Sequence, residues 1–109
     1  MTETSPKTAL VTGAGIRVGR AIALDLARHG WQIAVHYNRS RAPAEEVVDE
    51  IRAYGSRAVA LRADLSHEKE ANRLVPRAVE ALGPLTCLVN NAARFKTDTV
   101  NSATWESWD

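Results

Sequence analysis

The chain predicts an α/β fold, a doubly wound parallel sheet of about four strands. Apolar strand-like runs alternate with amphipathic helix-like runs along its 109 residues, and such alternation calls for parallel strands joined by helical crossovers. The first strand also runs through Gly13, Gly15 and Gly19 into a helix, the layout of a nucleotide-binding turn. Because the crossovers are right-handed, the first strand is expected at the centre, with strands two and three on one side and the fourth on the other. Ligands then bind at the carboxyl ends of strands one and four, where the order reverses.

The elements follow in order. Residues 8–12 form the first strand, and residues 18–29 a helix with Val18, Ile22 and Leu26 on one face, closed by Gly30. Residues 31–37 form the second strand. Residues 43–54 read as a helix that opens with Pro43, Glu45 and Glu46 in its first turn, buries Val47, Val48 and Ile51, and stops at Gly55. The third strand covers residues 57–63, and Ser66 is placed to cap the next helix. There Ala71, Leu74, Val75, Ala78, Val79 and Leu82 keep helical spacing. Pro76 removes one helical hydrogen bond, which predicts a kink near Asn72 rather than two helices, and Gly83-Pro84 ends the run. A fourth strand spans residues 86–90, and a last helix begins near Ser102, carrying Trp105 and Trp108.

Composition narrows the function. Fourteen basic against 13 acidic residues leave a net charge of +1, which offers no basic field for nucleic acid. No apolar run approaches membrane-spanning length, and residues 1–6 lack the basic-then-apolar pattern of a secretion signal. These features predict a soluble, cytoplasmic protein. Cys87 is the single cysteine; it has no internal disulfide partner and no metal-ligand spacing, and its place in an apolar strand marks it as core filler.

The glycine turn carries the chemistry. Glycine lets the backbone turn tightly and come close to phosphate oxygens, while the following helix presents free N–H groups and a partial positive charge. The third glycine stands one place later than in the ordinary dinucleotide fingerprint, where Val18 falls. Turn and packing glycines are the alternative. After the second strand, an NAD-specific site places an acidic residue roughly 20 residues past the glycines to hold the ribose hydroxyls. Here the chain reads His36-Tyr37-Asn38-Arg39-Ser40-Arg41, with no carboxylate before Glu45. Arg39, Ser40 and Arg17 are suited to charge-assisted hydrogen bonds with a 2′-phosphate, which predicts NADPH over NADH; an ordinary solvated loop is the competing account. Asp64, after the third strand, either accepts from the adenine amino group or ends the strand and starts the helix. The pair Asn90-Asn91, followed by Ala92 and Ala93, suits a place where backbone passes close to a ribose and amides tie strands together.

Thr12-Gly13 with Gly19, Asp64-Leu65 and Asn90-Asn91-Ala92, in this order, resemble the short-chain dehydrogenase/reductase superfamily, whose fold is Rossmann-like. Arg17, where that superfamily usually has its middle glycine, and His36-Tyr37-Asn38-Arg39-Ser40 are similar to the pteridine reductase and dihydromonapterin reductase branch. The resemblance implies that Gly13, Arg17, Val18 and Gly19 line the pyrophosphate turn and that Tyr37, Asn38, Arg39 and Ser40 surround the adenosine phosphate. It places Asp64 and Leu65 at adenine, Asn91, Ala92 and Ala93 at the ribose, and Phe95 and Arg17 at a flat substrate. Phe95 serves equally as a loop aromatic packing on the fold.

The superfamily's proton chemistry uses a serine and a Tyr-x-x-x-Lys pair. Tyr37 is followed four places on by Arg41 and Tyr54 by Ala58, so neither fits and no catalytic residue is assigned. The chain is therefore expected to be the amino-terminal, cofactor-binding half of a longer reductase, tetrameric when complete as family members often are. Two functions stay open: an NADPH-dependent reductase of carbonyls or of a pterin C=N bond, and a nucleotide-binding module without catalysis.

Overall fold

The structure, a computed structural model, describes residues 7–14 and 17–91. Its elements are β1 (Thr8–Val11), α1 (Arg17–Arg28), β2 (Gln32–Tyr37), α2 (Arg41–Ala53), β3 (Ala58–Arg62), α3 (Glu68–Leu82) and β4 (Cys87–Val89). Gly15, Ala92, Ala93, Phe95 and the helix expected from Ser102, with Trp105 and Trp108, lie outside the described residues.

The four strands form one parallel sheet in the order β3-β2-β1-β4, the order expected from the alternation of elements. Strand side chains alternate between two helical layers. Ala9, Val11, Ile33 and Val35 face Ala23, Leu24 and Ala27 of α1 and Val47, Val48 and Ile51 of α2. Leu10, Ala34 and Leu61 face Leu74, Ala78 and Leu82 of α3. Covered on both sides, β1 is buried along its whole length, which is why Thr8–Val11 reads as a continuous apolar run apart from its first residue.

Several local expectations change. Helix α1 turns Gly19, Ala23, Leu24 and Ala27 inward, while Val18 is 62% exposed and Ile22 and Leu26 are only partly buried. The small residues win because they let the helix backbone come close to the sheet. Helix α2 starts at Arg41, so Pro43 is its third residue and Glu45 and Glu46 fall beyond a first turn that holds no acid. Its inward face of Val47, Val48 and Ile51 is the expected one.

The N-cap position of helix α3 is His67, which makes no side-chain capping bond, and Ser66, one place earlier, donates its N–H and hydroxyl to Asp64 Oδ1, at 3.0 and 2.6 Å. Pro76 sits inside one unbroken helix. Both Pro76 and Asn72 lie on its exposed side, so water can satisfy the carbonyl that lacks a donor. Strand β4 is shorter than expected, Cys87–Val89, and the half-buried thiol of Cys87 packs against the layer that holds α1 and α2.

Among the described residues, no helix is long and apolar enough to cross a membrane, and no group of three or more His, Cys, Asp or Glu side chains is placed to hold a metal ion.

Candidate nucleotide-binding site

Strand β2 outruns its neighbour. Val11, the last residue of β1, pairs with Val35, which leaves His36 and Tyr37 alongside the turn that follows β1. Gly13 enters that turn at φ 64°, a left-handed conformation in which a side chain is costly. Its N–H donates to His36 Nδ1 at 2.9 Å, and the N–H of Ala14 donates to the carbonyl of His36 at 3.0 Å. The other ring nitrogen, Nε2, donates to the carbonyl of Ala63 at 2.9 Å. A ring that accepts at one nitrogen and donates at the other is a neutral imidazole. Burial pushes the His36 pKa below its ordinary value, and the bond to Ala63 offsets part of that shift.

A second knot joins β1 to β4. Thr12 donates its backbone N–H to the carbonyl of Val89 at 3.0 Å, and its hydroxyl lies 3.3 Å from the same carbonyl and 3.2 Å from Asn90 Oδ1. The hydroxyl accepts the N–H of Asn91 at 2.8 Å, and the Asn91 amide donates to the carbonyl of Gly13 at 3.4 Å. Gly19 packs into this knot. A Cβ added there would stand 2.2 Å from the Gly13 carbonyl oxygen and 2.6 Å from Asn91 Nδ2. What the geometry gives Gly19 is therefore the close approach of α1 to the turn, the packing role glycine takes where helix meets strand.

Beyond β3, Asp64 accepts both bonds from Ser66, which hold its carboxyl below the usual carboxylate range, and its Oδ2 lies 3.1 Å from His67 Nδ1. The N–H of Asp64 donates to Glu70 Oε1 at 2.7 Å. Asp64 thus shapes the turn into α3, one of its two expected roles, and keeps lone pairs free for a further donor.

After β2, Ser40 is the N-cap of α2 but makes no side-chain capping bond. Arg41 is engaged with Glu45 at 3.0 Å, and Arg20 pairs with Glu50. Among the described residues no carboxylate pairs with Arg39 or Arg17. Arg17 stands at φ 55°, the conformation that a glycine takes without strain. Replacing it by glycine is expected to raise stability by about 0.5–1 kcal/mol, the left-handed penalty less the extra chain entropy of glycine, as a higher urea midpoint. A lower midpoint would mean that the guanidinium holds the turn together.

The parallel sheet thus brings Gly13, Arg17, Val18, Gly19, Tyr37, Asn38, Arg39, Ser40, Asp64, Leu65 and Asn91 to its carboxyl edge, on the strand ends, the loops that follow them and the start of α1. Ala92, Ala93 and Phe95 lie outside the described residues. Two groups that shape this edge, His36 and Glu70, have no role assigned from the sequence. The available signal for His36 was a polar residue ending an otherwise apolar buried strand.

A parallel sheet with a glycine turn, two arginines without a carboxylate partner among the described residues and a paired-Asn knot at its carboxyl edge makes this a Rossmann-like α/β protein. Residues 7–109 match the family model described as short chain dehydrogenase, and the chain belongs to that family.

Over 103 residues it is 44% identical to the hydroxynaphthalene reductase-like protein Arp2 of Metarhizium robertsii, covering 94% of this chain and 39% of that protein. It is 39% identical to the 3-oxoacyl-[acyl-carrier-protein] reductase FabG of Staphylococcus epidermidis, covering 94% of this chain and 42% of the relative. The chain therefore spans about two fifths of the length of these curated relatives.

Among solved structures, the blue fluorescent protein from a metagenomic library in complex with NADPH superposes with a TM-score of 0.78 at 40% identity, over 82% of this chain and 37% of that one. A Burkholderia cenocepacia protein with bound NADP gives 0.76 at 35% identity, over 79% and 34%.

Proposed function

We propose that this chain is the cofactor-binding half of an NADPH-dependent short-chain reductase of the cytoplasm, a tetramer when whole. The observation that carries the cofactor assignment is the turn after β2. Ser40 has an uncommitted hydroxyl at the start of a helix with no acid in its first turn, and Arg39 and Arg17 have no carboxylate partner among the described residues. A 2′-phosphate placed there meets hydroxyl and guanidinium donors together with a favourable helix dipole. The NADP and NADPH held by two structural neighbours support the same choice.

Once bound, the nicotinamide supplies the hydride. The residues of this chain bind and orient: Gly13 and Gly19 set the turn at the pyrophosphate, Asp64 and Leu65 receive the adenine, and Asn91, Ala92 and Ala93 meet the ribose. Calorimetric titration of the full-length protein is the test. NADPH is expected to bind more tightly than NADH, and Arg39→Ala to weaken NADPH by about tenfold or more, the worth of one charge-assisted hydrogen bond, with NADH unchanged. An unchanged ratio of the two affinities overturns the assignment.

For the substrate, the guanidinium of Arg17, which has no carboxylate partner among the described residues, supports a flat, hydrogen-bonding acceptor such as a pterin C=N bond, with Phe95 stacking on it. The names of the relatives support a carbonyl instead. NADPH oxidation with dihydrobiopterin, dihydromonapterin and simple ketones separates the two, and turnover of ketones alone removes the pterin reading. Tight NADPH binding without turnover of any acceptor would favour a non-catalytic nucleotide-binding module.

A further inference from the structure

His36 is nearly inaccessible to solvent, at 2% exposure, yet it carries a titratable ring at the foot of the glycine turn. That ring spans three chain segments. It accepts from Gly13 after β1, donates to Ala63 after β3, and sits at the end of β2, whose own carbonyl receives the N–H of Ala14. Two consecutive N–H groups of the turn are therefore anchored on one residue. The charged and titratable groups on the elements around it are Arg17 of α1, Tyr37 at the end of β2 and Arg39 after it, Arg62 and Asp64 flanking Ala63, and Glu70 of α3. None of these forms an ion pair or hydrogen bond with the imidazole among the described residues, so no carboxylate is at hand to stabilise a second ring proton.

We propose that His36 is the positioning residue of the phosphate turn: its neutral Nε2–H tautomer fixes Gly13 and Ala14 in the conformation that receives the dinucleotide, and protonation at Nδ1 releases them. The argument is one of donors and acceptors. The Gly13 N–H points at Nδ1 from 2.9 Å, and a proton added to that nitrogen sets two donors against each other, so the bond must break. The proposal rests on the nicotinamide reading given above and adds a proton-linked control of the same turn.

The direction of the pH effect follows from linkage. Burial lowers the folded-state pKa of His36 below the 6.5 of the unfolded chain, so between those two values the unfolded chain binds more protons. The stability that His36 contributes is complete above pH 6.5 and is lost as pH falls from there through the folded pKa.

The experiment uses the full-length protein and His36→Asn, whose amide oxygen can still accept from Gly13 but does not titrate. Long-range nitrogen-15 NMR of the wild type at pH 7.5 is expected to show Nε2 protonated and Nδ1 bare; a protonated Nδ1 overturns the proposal, and this readout needs no variant. NADPH affinity is then measured by calorimetry from pH 8 to pH 5.5. The 2′-phosphate takes up its own proton near pH 6, so the quantity that counts is the difference between the two proteins. Wild type is expected to lose more affinity than His36→Asn as the pH falls, and parallel losses overturn the proposal. Failure of the wild type to bind NADPH at pH 7.5 overturns the nicotinamide reading and the affinity half of this proposal. The ligand-free melting temperatures still decide the other half: wild type should lose more on acidification than His36→Asn, and equal losses mean that His36 does not hold the turn.

Discussion

Gly19→Ala is expected to destabilise the protein by about 2–3 kcal/mol and to weaken NADPH binding with it. Alanine is the better helix former, by about 1 kcal/mol, and on an open helix surface the change would stabilise. Here the new methyl carbon falls 2.2 Å from the carbonyl oxygen of Gly13 and 2.6 Å from the amide nitrogen of Asn91. A side chain could swing aside, but the carbonyl belongs to the turn itself. Relief requires α1 to move off the sheet or Gly13 to leave its φ of 64°, and either displaces the turn proposed to seat the pyrophosphate. Adding Asn91→Ala removes only the second contact, so the double variant stays well below wild type. A urea midpoint for Gly19→Ala equal to wild type would show that α1 does not need this approach.

Thr12→Val, nearly isosteric and suited to a strand end, is expected to cost about 2 kcal/mol. The loss comes from an unsatisfied donor rather than from packing. Thr12 is 1% exposed, and its hydroxyl is the acceptor for the N–H of Asn91. Valine keeps the volume and leaves that half-buried N–H without its partner, a penalty larger than the net worth of an ordinary hydrogen bond. The carbonyl of Val89 retains the backbone N–H of residue 12, and Asn90 is exposed to water, whereas the N–H of Asn91 loses its acceptor. Faster hydrogen exchange of the Asn91 amide, with restoration by Thr12→Ser, is the signature to look for. An unchanged exchange rate in Thr12→Val would remove this hydroxyl from the knot.

The elements differ in how readable they were. Helix α2 announced its buried face because Val47, Val48 and Ile51 are both the apolar residues and the contacting ones. Helix α1 did not, because hydrophobicity ranks Val18 above Gly19 and Ala23, whereas the packing rewards the absence of side chain. Strand ends were overrun by one residue in places for a related reason. Thr12 continues the apolar alternation of β1 but spends its hydroxyl and N–H on β4, so it belongs to the turn. Ser66 carries the chemistry of a helix cap, yet it stands one place before the N-cap position, and its N–H and hydroxyl donate to Asp64 instead.

The amino-acid sequence by itself determined the alternation of strands and crossover helices, the order β3-β2-β1-β4 and hence the edge at which the glycine turn, Arg39, Asp64 and Asn91 gather. These follow from local periodicity and the handedness of crossovers, which nearby residues encode. Only the tertiary structure decided that Gly19 is required by a backbone 2.2 Å from its missing Cβ and that His36 is neutral and bridges two other strand ends. Each depends on atoms of residues far apart in the chain, and a contact between distant segments has no period to read.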